Sequence, residues 1–246
     1  MFVRHAEPDY AIDSITPKGR MEAELLSQRL CKLDVKDFFC SPMGRARDTA
    51  SYTLDKLGRK AEILPWLAEY RGRIIDPQTG RGRLPWDFMP RYWTGSKALY
   101  DIDQWLDTPL MSSGTAAEIY RESINEFDSL LARYGYERDG PVYRCACNKP
   151  DTLVFFCHFG ISMALFSHLC GISPVALWQC FCAQPSSITT VITEERVKGE
   201  VFFRCMQMGD ISHLYAADEN WSTAGLFPEC YTGIDSTDPN DPRFKK

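Results

Sequence analysis

The chain has 246 residues, of which 44% are hydrophobic, and carries a formal net charge of −5 at neutral pH. This length and apolar content suit one α/β domain with an insertion, and the acidic balance argues against a nucleic-acid partner. No apolar run reaches membrane-spanning length, and no basic leader precedes an apolar core at the N-terminus, so we expect a cytoplasmic protein without a membrane partner.

The cysteines give little sign of a disulfide framework or of a metal site. There are ten of them, without dense regular spacing, and in the absence of a leader we expect reduced, mostly buried thiols. Two Cys-x-Cys pairs, at 145/147 and 180/182, support an alternative interpretation as a cysteine-ligated metalloprotein. Their one-residue gap is shorter than the usual structural zinc spacing. We therefore expect no metal and no cofactor.

The first quarter of the chain predicts alternating strands and helices. Thr16 and Pro17 are typical of an N-cap followed by the first helical position. Short apolar runs on either side of the helices predict buried strands. The strands are predicted at residues 1–3, 35–40 and 62–64, with helices at 17–33 and from the Ser-Pro segment to residue 57.

Residues 70–114 interrupt this alternation with a stretch rich in tryptophan, proline and arginine. The stretch is too aromatic for a disordered linker. We expect an insertion that forms a lid over a binding pocket, with Arg71, Arg81 and Trp86 as possible substrate-binding residues. The alternative is a structural subdomain whose arginines are solvated.

The remaining elements complete an α/β pattern within a single domain, residues 1–246. Strands that alternate with helices predict a three-layer α/β/α fold with a mostly parallel central sheet. The expected elements are a helix at 115–134, a hairpin of 141–147 and 152–157 around the turn residues 148–151, a helix at 161–169, and a strand pair at 187–193 and 201–208.

Three of the apolar strands end in groups that suit a phosphate. His5 follows Arg4 after the first strand, Arg45 follows the second, and His158 ends a later one. Ligands of open α/β sheets bind at the carboxyl ends of the strands, so these side chains are expected to converge. Guanidinium groups suit phosphoryl oxygens, and an imidazole can be a nucleophile near neutral pH. The pattern indicates phosphoryl chemistry on histidine.

These segments resemble motifs of the histidine phosphatase superfamily, also called the phosphoglycerate mutase-like family. The family's Arg-His-Gly-Glu, Leu-Thr-x-x-Gly-x-x-Gln-Ala, Ser-Pro-x-x-Arg-Ala-x-x-Thr-Ala, Leu-x-Glu and His-Gly motifs occur here in order. Two departures are an alanine in place of the first motif's glycine and one residue inserted in the last motif. The matching segments are Arg-His-Ala-Glu at 4–7, Ile-Thr-Pro-Lys-Gly-Arg-Met-Glu-Ala at 15–23, residues 41–50, Leu-Ala-Glu at 67–69, His-Phe-Gly at 158–160 and a late segment at 210–214.

The resemblance implies a role for each of these residues. His5 would be the nucleophile that is transiently phosphorylated, while Arg4, Arg45 and His158 would bind the phosphoryl oxygens and stabilise the transition state. Glu69 would donate a proton to the leaving group and then activate water. The cationic pocket makes a metal unnecessary in this mechanism.

Some alternatives stay open at this point. Glu62 and Asp76 flank Glu69 and are rival carboxylates, whereas His168 and His213 are expected to be structural or orienting. The Trp-Asn and Gly-Trp pairs of phosphoglycerate mutases are missing after the first motif, which favours a phosphatase acting on a small phosphomonoester. Mutase-type phosphoryl transfer and a catalytically silent protein that binds a phosphorylated ligand remain the alternatives.

Overall fold

An eight-stranded mixed sheet lies between two layers of helices in the computed structural model, which describes residues 1–226. None of the helices in this range is both long and apolar enough to cross a membrane. The helices are α1 (Pro17–Leu30), α2 (Gly44–Leu57), α3 (Pro90–Thr94), α4 (Ala116–Ala132), α5 (Phe159–Cys170), α6 (Pro174–Cys180) and α7 (Ser212–Tyr215). The strands are β1 (Phe2–Arg4), β2 (Pro8–Asp9), β3 (Ser14–Ile15), β4 (Asp37–Cys40), β5 (Glu62–Ile63), β6 (Ile74–Ile75), β7 (Gly82–Arg83), β8 (Tyr136–Asp139), β9 (Val142–Cys145), β10 (Leu153–Cys157), β11 (Ile188–Val197) and β12 (Glu200–Asp210).

The predicted α/β fold is confirmed, with a sheet that is parallel in one half and antiparallel in the other. The strand order is β5-β4-β10-β1-β11-β12-β9-β8. β5, β4, β10 and β1 pair in parallel, whereas β11, β12, β9 and β8 add antiparallel strands beyond β1. The carboxyl ends of β1, β4 and β10 therefore meet at one edge of the sheet. The polar residues that end or follow these strands were predicted to converge at this edge.

Strand β1 is short but buried on both faces. Successive side chains of a strand point to opposite faces, so Phe2 packs in the core cluster that contains Phe127 of α4, while Val3 packs in the cluster that contains Leu26 of α1 and Ala46 of α2. Both faces of β1 are thus covered by helices, and the strand is held rigidly where it delivers His5.

The predicted hairpin of residues 141–147 and 152–157 is wrong. β9 instead pairs with β8 and β12, while β10 lies between β4 and β1, parallel to both. The turn residues 148–151 carry the chain from one region of the sheet to another rather than reversing it between neighbours. The buried run Val154–Cys157 is typical of a central parallel strand, and this feature outweighs the turn signal. Neither β8 nor α6 was predicted.

The insertion at residues 70–114 packs against the main domain. It contains the β6–β7 hairpin, α3 and short 3-10 turns. Trp105 and Met111 are fully buried in the same cluster as residues of α4 and α5, and a buried ion pair joins Arg83 Nε to Asp76 Oδ2 at 2.6 Å. The shared cluster fixes the insertion on the domain, and the ion pair, whose two partners both belong to the insertion, stabilises it internally. Its movement as a lid remains a prediction.

Candidate active site

His5 lies at the carboxyl end of β1 with its backbone fixed on both sides. Its N–H donates to Cys157 O, and its carbonyl accepts from Ser186 N, both at 3.0 Å. The imidazole is 2% exposed, and its Nδ1 lies 2.8 Å from Ala6 O. Because a carbonyl only accepts, Nδ1 carries the proton in this contact. The lone pair of the neutral ring is then on Nε2, the nitrogen available for nucleophilic attack.

The residue after His5 is positioned by helix α2. Ala6 N donates to Thr49 Oγ1 at 2.9 Å, and the Thr49 hydroxyl donates to Arg45 O at 2.8 Å. Residues four apart share one helix face, so the spacing of Arg45 and Thr49 makes both available at the sheet edge. This role of Thr49 was not predicted from the sequence, although Thr49 lies within the motif at residues 41–50.

Two buried arginines flank His5. Arg4 Nη1 donates to Ala183 O, and Arg45 Nη1 donates to Asp13 Oδ1 at 2.6 Å. Asp13 also accepts from Gly44 N at 2.7 Å, which ties the loop before β3 to the start of α2. Among residues 1–226, the Nε atoms of both arginines have no hydrogen-bond partner.

His158 follows β10 and stands against His5, with ring centroids 5.1 Å apart. Its Nε2 is 2.7 Å from Ser41 Oγ, whereas its Nδ1 has no partner in the described part of the chain. An unpartnered buried polar atom is costly. The charges of Arg4 and Arg45 both act on His5, so with His158 three side chains that keep an unpartnered buried nitrogen lie near one imidazole, which suits the oxygens of an anion.

Both histidines are held neutral. Burial is the main reason that the pKa of His5 lies well below its ordinary value, and the charges of Arg4 and Arg45 lower it further. Burial likewise lowers the pKa of His158, with further contributions from His5 and the same two arginines. A neutral imidazole retains the lone pair that a nucleophile needs.

Glu69 meets the start of α5 and has the properties of an acid. Its Oε1 accepts from Tyr70 N at 2.7 Å and from Ile161 N at 3.0 Å. Desolvation raises the pKa of its carboxyl above the ordinary value, although these backbone hydrogen bonds oppose the shift. The charge of Arg4 also acts on it, so the carboxyl lies within electrostatic reach of the cationic pocket.

The rival carboxylates are engaged elsewhere. Glu62 is exposed and pairs with Arg133 at 2.8 Å, while Asp76 pairs with Arg83. Of the three candidates, Glu69 alone contacts the segment that follows His158.

The predicted substrate-binding residues of the insertion are placed differently from one another. Trp86 packs against Gly160 beside Glu69. Arg71 is exposed near the outer side of Glu69, and Arg81 is exposed next to the β6–β7 hairpin. Trp86 therefore touches the segment that carries His158.

The two other histidines make hydrogen bonds within the fold. His213 Nε2 lies 3.1 Å from Ser186 Oγ, directly behind the backbone that binds His5. Burial lowers the pKa of His213 to about 4. His168 Nε2 lies 2.9 Å from both carboxylate oxygens of Asp128 on α4.

A late segment of the chain covers one side of Arg4. At Gly225, φ is +102°, and the position of a Cβ there would lie 2.5 Å from Arg4 Nη2. Ser222 Oγ donates to Glu7 Oε2 at 2.5 Å. These contacts bring residues 222–225 to the edge of the pocket, which the sequence pattern did not predict.

Glu22 of α1 supports the backbone just after His5. Its side chain is fully buried, its Oε2 accepts from Glu7 N at 2.8 Å, and its Oε1 has no partner within residues 1–226. Burial is the main reason that its pKa rises from 4.5 to about 7. Ionising Glu22 therefore costs the folded state more than the unfolded state.

We expect Glu22→Gln to flatten the dependence of stability on pH. Because the folded pKa is raised, Glu22 lowers the free energy of unfolding as the pH rises from about 4.5 to about 7, by roughly 3 kcal/mol. The glutamine cannot ionise, so the variant gains stability over the wild type at pH 8 and not at pH 4. Urea unfolding at both pH values measures this difference. Glu126→Gln, on the exposed side of α4, is the control, and parallel pH profiles of wild type and Glu22→Gln would contradict the expectation.

The described range holds no cluster of metal-ligating side chains. Within residues 1–226, no group of three or more His, Cys, Asp or Glu side chains is placed to hold a metal ion. The cysteines at 145, 147, 180 and 182 are all free thiols.

Part of the chain matches a known protein family. Residues 1–80 match the sequence model of the histidine phosphatase superfamily (branch 1). No curated protein sequence matches the chain.

Solved structures share the fold at low sequence identity. A phosphoserine phosphatase from Entamoeba histolytica, in complex with phosphoserine, has a TM-score of 0.57 and 17% identity over 87% of this chain and 97% of its own. A mycobacterial glucosyl-3-phosphoglycerate phosphatase has a TM-score of 0.54 and 17% identity over 84% of this chain and 96% of its own. The α-ribazole phosphatase from Shigella flexneri has a TM-score of 0.53 and 17% identity over 85% of this chain and 95% of its own. The resemblance of this chain to the histidine phosphatase superfamily is thereby confirmed, by sequence over residues 1–80 and by fold over most of its length.

Proposed function

We propose that this protein is a metal-independent phosphatase that hydrolyses a small phosphomonoester through a phosphohistidine on His5. One observation carries the proposal: a neutral imidazole, protonated on Nδ1, lies beside side chains with three buried nitrogens that lack partners among residues 1–226. The three are Nε of Arg4, Nε of Arg45 and Nδ1 of His158. A phosphoryl group would supply acceptors for all of them.

In the first step, His5 Nε2 attacks phosphorus and the bond to the ester oxygen breaks. The arginines and His158 stabilise the charge on the phosphoryl oxygens in the transition state. Glu69, whose raised pKa favours its protonated form, donates its proton to the departing oxygen, so that a neutral alcohol leaves.

In the second step, the phosphohistidine is hydrolysed. The Glu69 carboxylate, now without its proton, removes a proton from water as the water oxygen attacks phosphorus. The bond between phosphorus and Nε2 breaks, and inorganic phosphate leaves. His5 returns to the neutral state, and Glu69 is protonated again, so the cycle balances without a metal.

The pocket supports hydrolysis of a small substrate in preference to the alternatives. The phosphatases that share the fold act on small phosphorylated compounds, according to their names. The residues proposed to do the chemistry are all present, which speaks against a silent binding protein. A phosphatase transfers the phosphoryl group from His5 to water, whereas a mutase transfers it to a second alcohol.

Trapping the intermediate tests the proposal. We expect p-nitrophenyl phosphate, followed by an alkaline denaturing quench, to give protein heavier by one phosphoryl group. The phosphate is lost in acid, as expected for a phosphoramidate, and peptide mapping places it on His5. The control is His5→Ala, which lacks the proposed nucleophile and should remain unlabelled. Turnover without any phosphorylated His5 under rapid quench, or phosphate on another side chain, would contradict the mechanism.

A further inference from the structure

The wall of the pocket beside Glu69 is formed by an aromatic ring. The six-membered ring of Trp86 reaches within 2.2 Å of the point where a Cβ on Gly160 would stand, and Glu69 Oε1 lies 2.8 Å from the same point. Only glycine fits between them. A proton donor must reach the oxygen that departs, so the leaving group of a substrate has to lie next to Trp86.

A second ring extends this wall towards Arg4, one of the proposed phosphate-binding residues. Phe159, the extra residue between His158 and Gly160, is half-buried and meets Trp86 edge-to-face, with ring centroids 6.0 Å apart at 89°. Its ring centroid also lies 5.8 Å from Arg4 Cζ. Phe159 therefore lies between the Arg4 guanidinium and the Trp86 ring beside Glu69. A leaving group that extends from the phosphoryl group towards Glu69 would pass along the Phe159 ring.

The residues behind Trp86 turn their polar atoms away from it. Tyr70 and Trp178 both pack against Trp86, with centroids 6.3 and 5.9 Å away. The Tyr70 hydroxyl donates to Ala116 O, and Trp178 Nε1 donates to Gly160 O at 2.9 Å. Both residues are buried and both hydrogen-bonding groups are used within the fold, so the ring of Trp86 rests on an apolar backing. Such a wall suits a ring better than a polyol.

We propose that the leaving group of the substrate carries an aromatic ring close to the ester oxygen, and that Phe159 and Trp86 select for it. The ring would stack against Phe159 and Trp86 while the phosphoryl group sits between the arginines. This inference rests on the proposed function, because it assigns the leaving group to the side of Glu69.

A matched pair of substrates tests the selectivity. Benzyl phosphate and cyclohexylmethyl phosphate release primary alcohols of similar size, so their difference reports ring contacts and not leaving-group acidity. We expect kcat/KM to favour benzyl phosphate by about three- to tenfold, the range that aromatic contacts provide. Phe159→Leu should bring the ratio close to one, and Phe159→Tyr, which keeps the ring, should preserve it.

The control is Phe202→Leu on β12, an exposed aromatic outside the pocket. It should leave the substrate ratio unchanged. Equal kcat/KM values for the two esters in the wild type would overturn the proposal. So would a preference that survives Phe159→Leu, or faster turnover of glycerol phosphate than of benzyl phosphate.

A binding measurement separates this inference from the proposed function. If the protein turns over none of these esters, the proposed function fails, yet the wall can still be tested with ligands that are not hydrolysed. Calorimetry should show that benzylphosphonate binds three- to tenfold more tightly than cyclohexylmethylphosphonate, and that Phe159→Leu removes the difference. Equal affinities, or no binding of either, would overturn the aromatic subsite.

Discussion

Replacing His5 by alanine is expected to lower kcat for p-nitrophenyl phosphate by about a thousandfold or more. The variant lacks the only protein atom in the proposed mechanism that forms a bond to phosphorus, so no remaining side chain can replace it. Binding should survive, because Arg4, Arg45 and His158 keep their anchors on Ala183, Asp13 and Ser41. Steady-state kinetics measure the loss in kcat, and calorimetry with inorganic phosphate measures the binding that remains.

His168→Gln is the matched control for this substitution. His168 is also a partly buried histidine, but it binds Asp128 on α4 and has no place in the proposed chemistry. Its variant should retain wild-type kcat. Turnover that persists in His5→Ala at a comparable rate would remove His5 as the nucleophile, and the phosphohistidine mechanism with it.

The sequence predicted the centre of the site because the relevant information is local. A buried strand followed by Arg4 and His5, and another followed by His158, place their side chains at the same edge once the strands are parallel. The spacing of Arg45 within α2 and the N-cap at Thr16 are also local, and the structure has both. Here the position of each residue along its strand or helix determines the geometry of the site.

The parts that escaped prediction depend on contacts between distant segments. Ser222 meets Glu7 across 215 positions, and the backbone at Gly225 meets Arg4. Neither has a periodic or spacing signal. The wrong hairpin has the same origin, since the turn residues 148–151 look alike whether the next strand pairs with its neighbour or crosses to the centre of the sheet. Trp86 could be suspected from composition, but only its packing on Gly160 places it beside Glu69.

Glu69→Gln is expected to have an effect that depends on the leaving group. An alkyl phosphate releases a strongly basic alkoxide unless a proton is supplied, so we expect kcat for benzyl phosphate to fall by about 10²- to 10⁴-fold. p-Nitrophenolate is a weak base and leaves without protonation. The first step with p-nitrophenyl phosphate should therefore stay fast, while hydrolysis of the phosphohistidine, which needs the base, becomes slow.

This difference should appear as a burst in rapid-mixing experiments. Glu69→Gln should release about one equivalent of p-nitrophenolate per active site before a slow steady state. With benzyl phosphate, whose leaving group needs a proton, the wild type should lose activity as the pH rises through the Glu69 pKa, which desolvation raises above its ordinary value. The protonated form donates in the first step, so ionisation above that pKa removes the donor, and this alkaline limb should be missing from the variant's first step. Glu62→Gln, which removes only the exposed pair with Arg133, should show neither the burst nor the change in pH profile. Equal losses for the alkyl and aryl esters in Glu69→Gln, with no burst, would show that Glu69 acts on the binding of the phosphoryl group and not on its proton transfers.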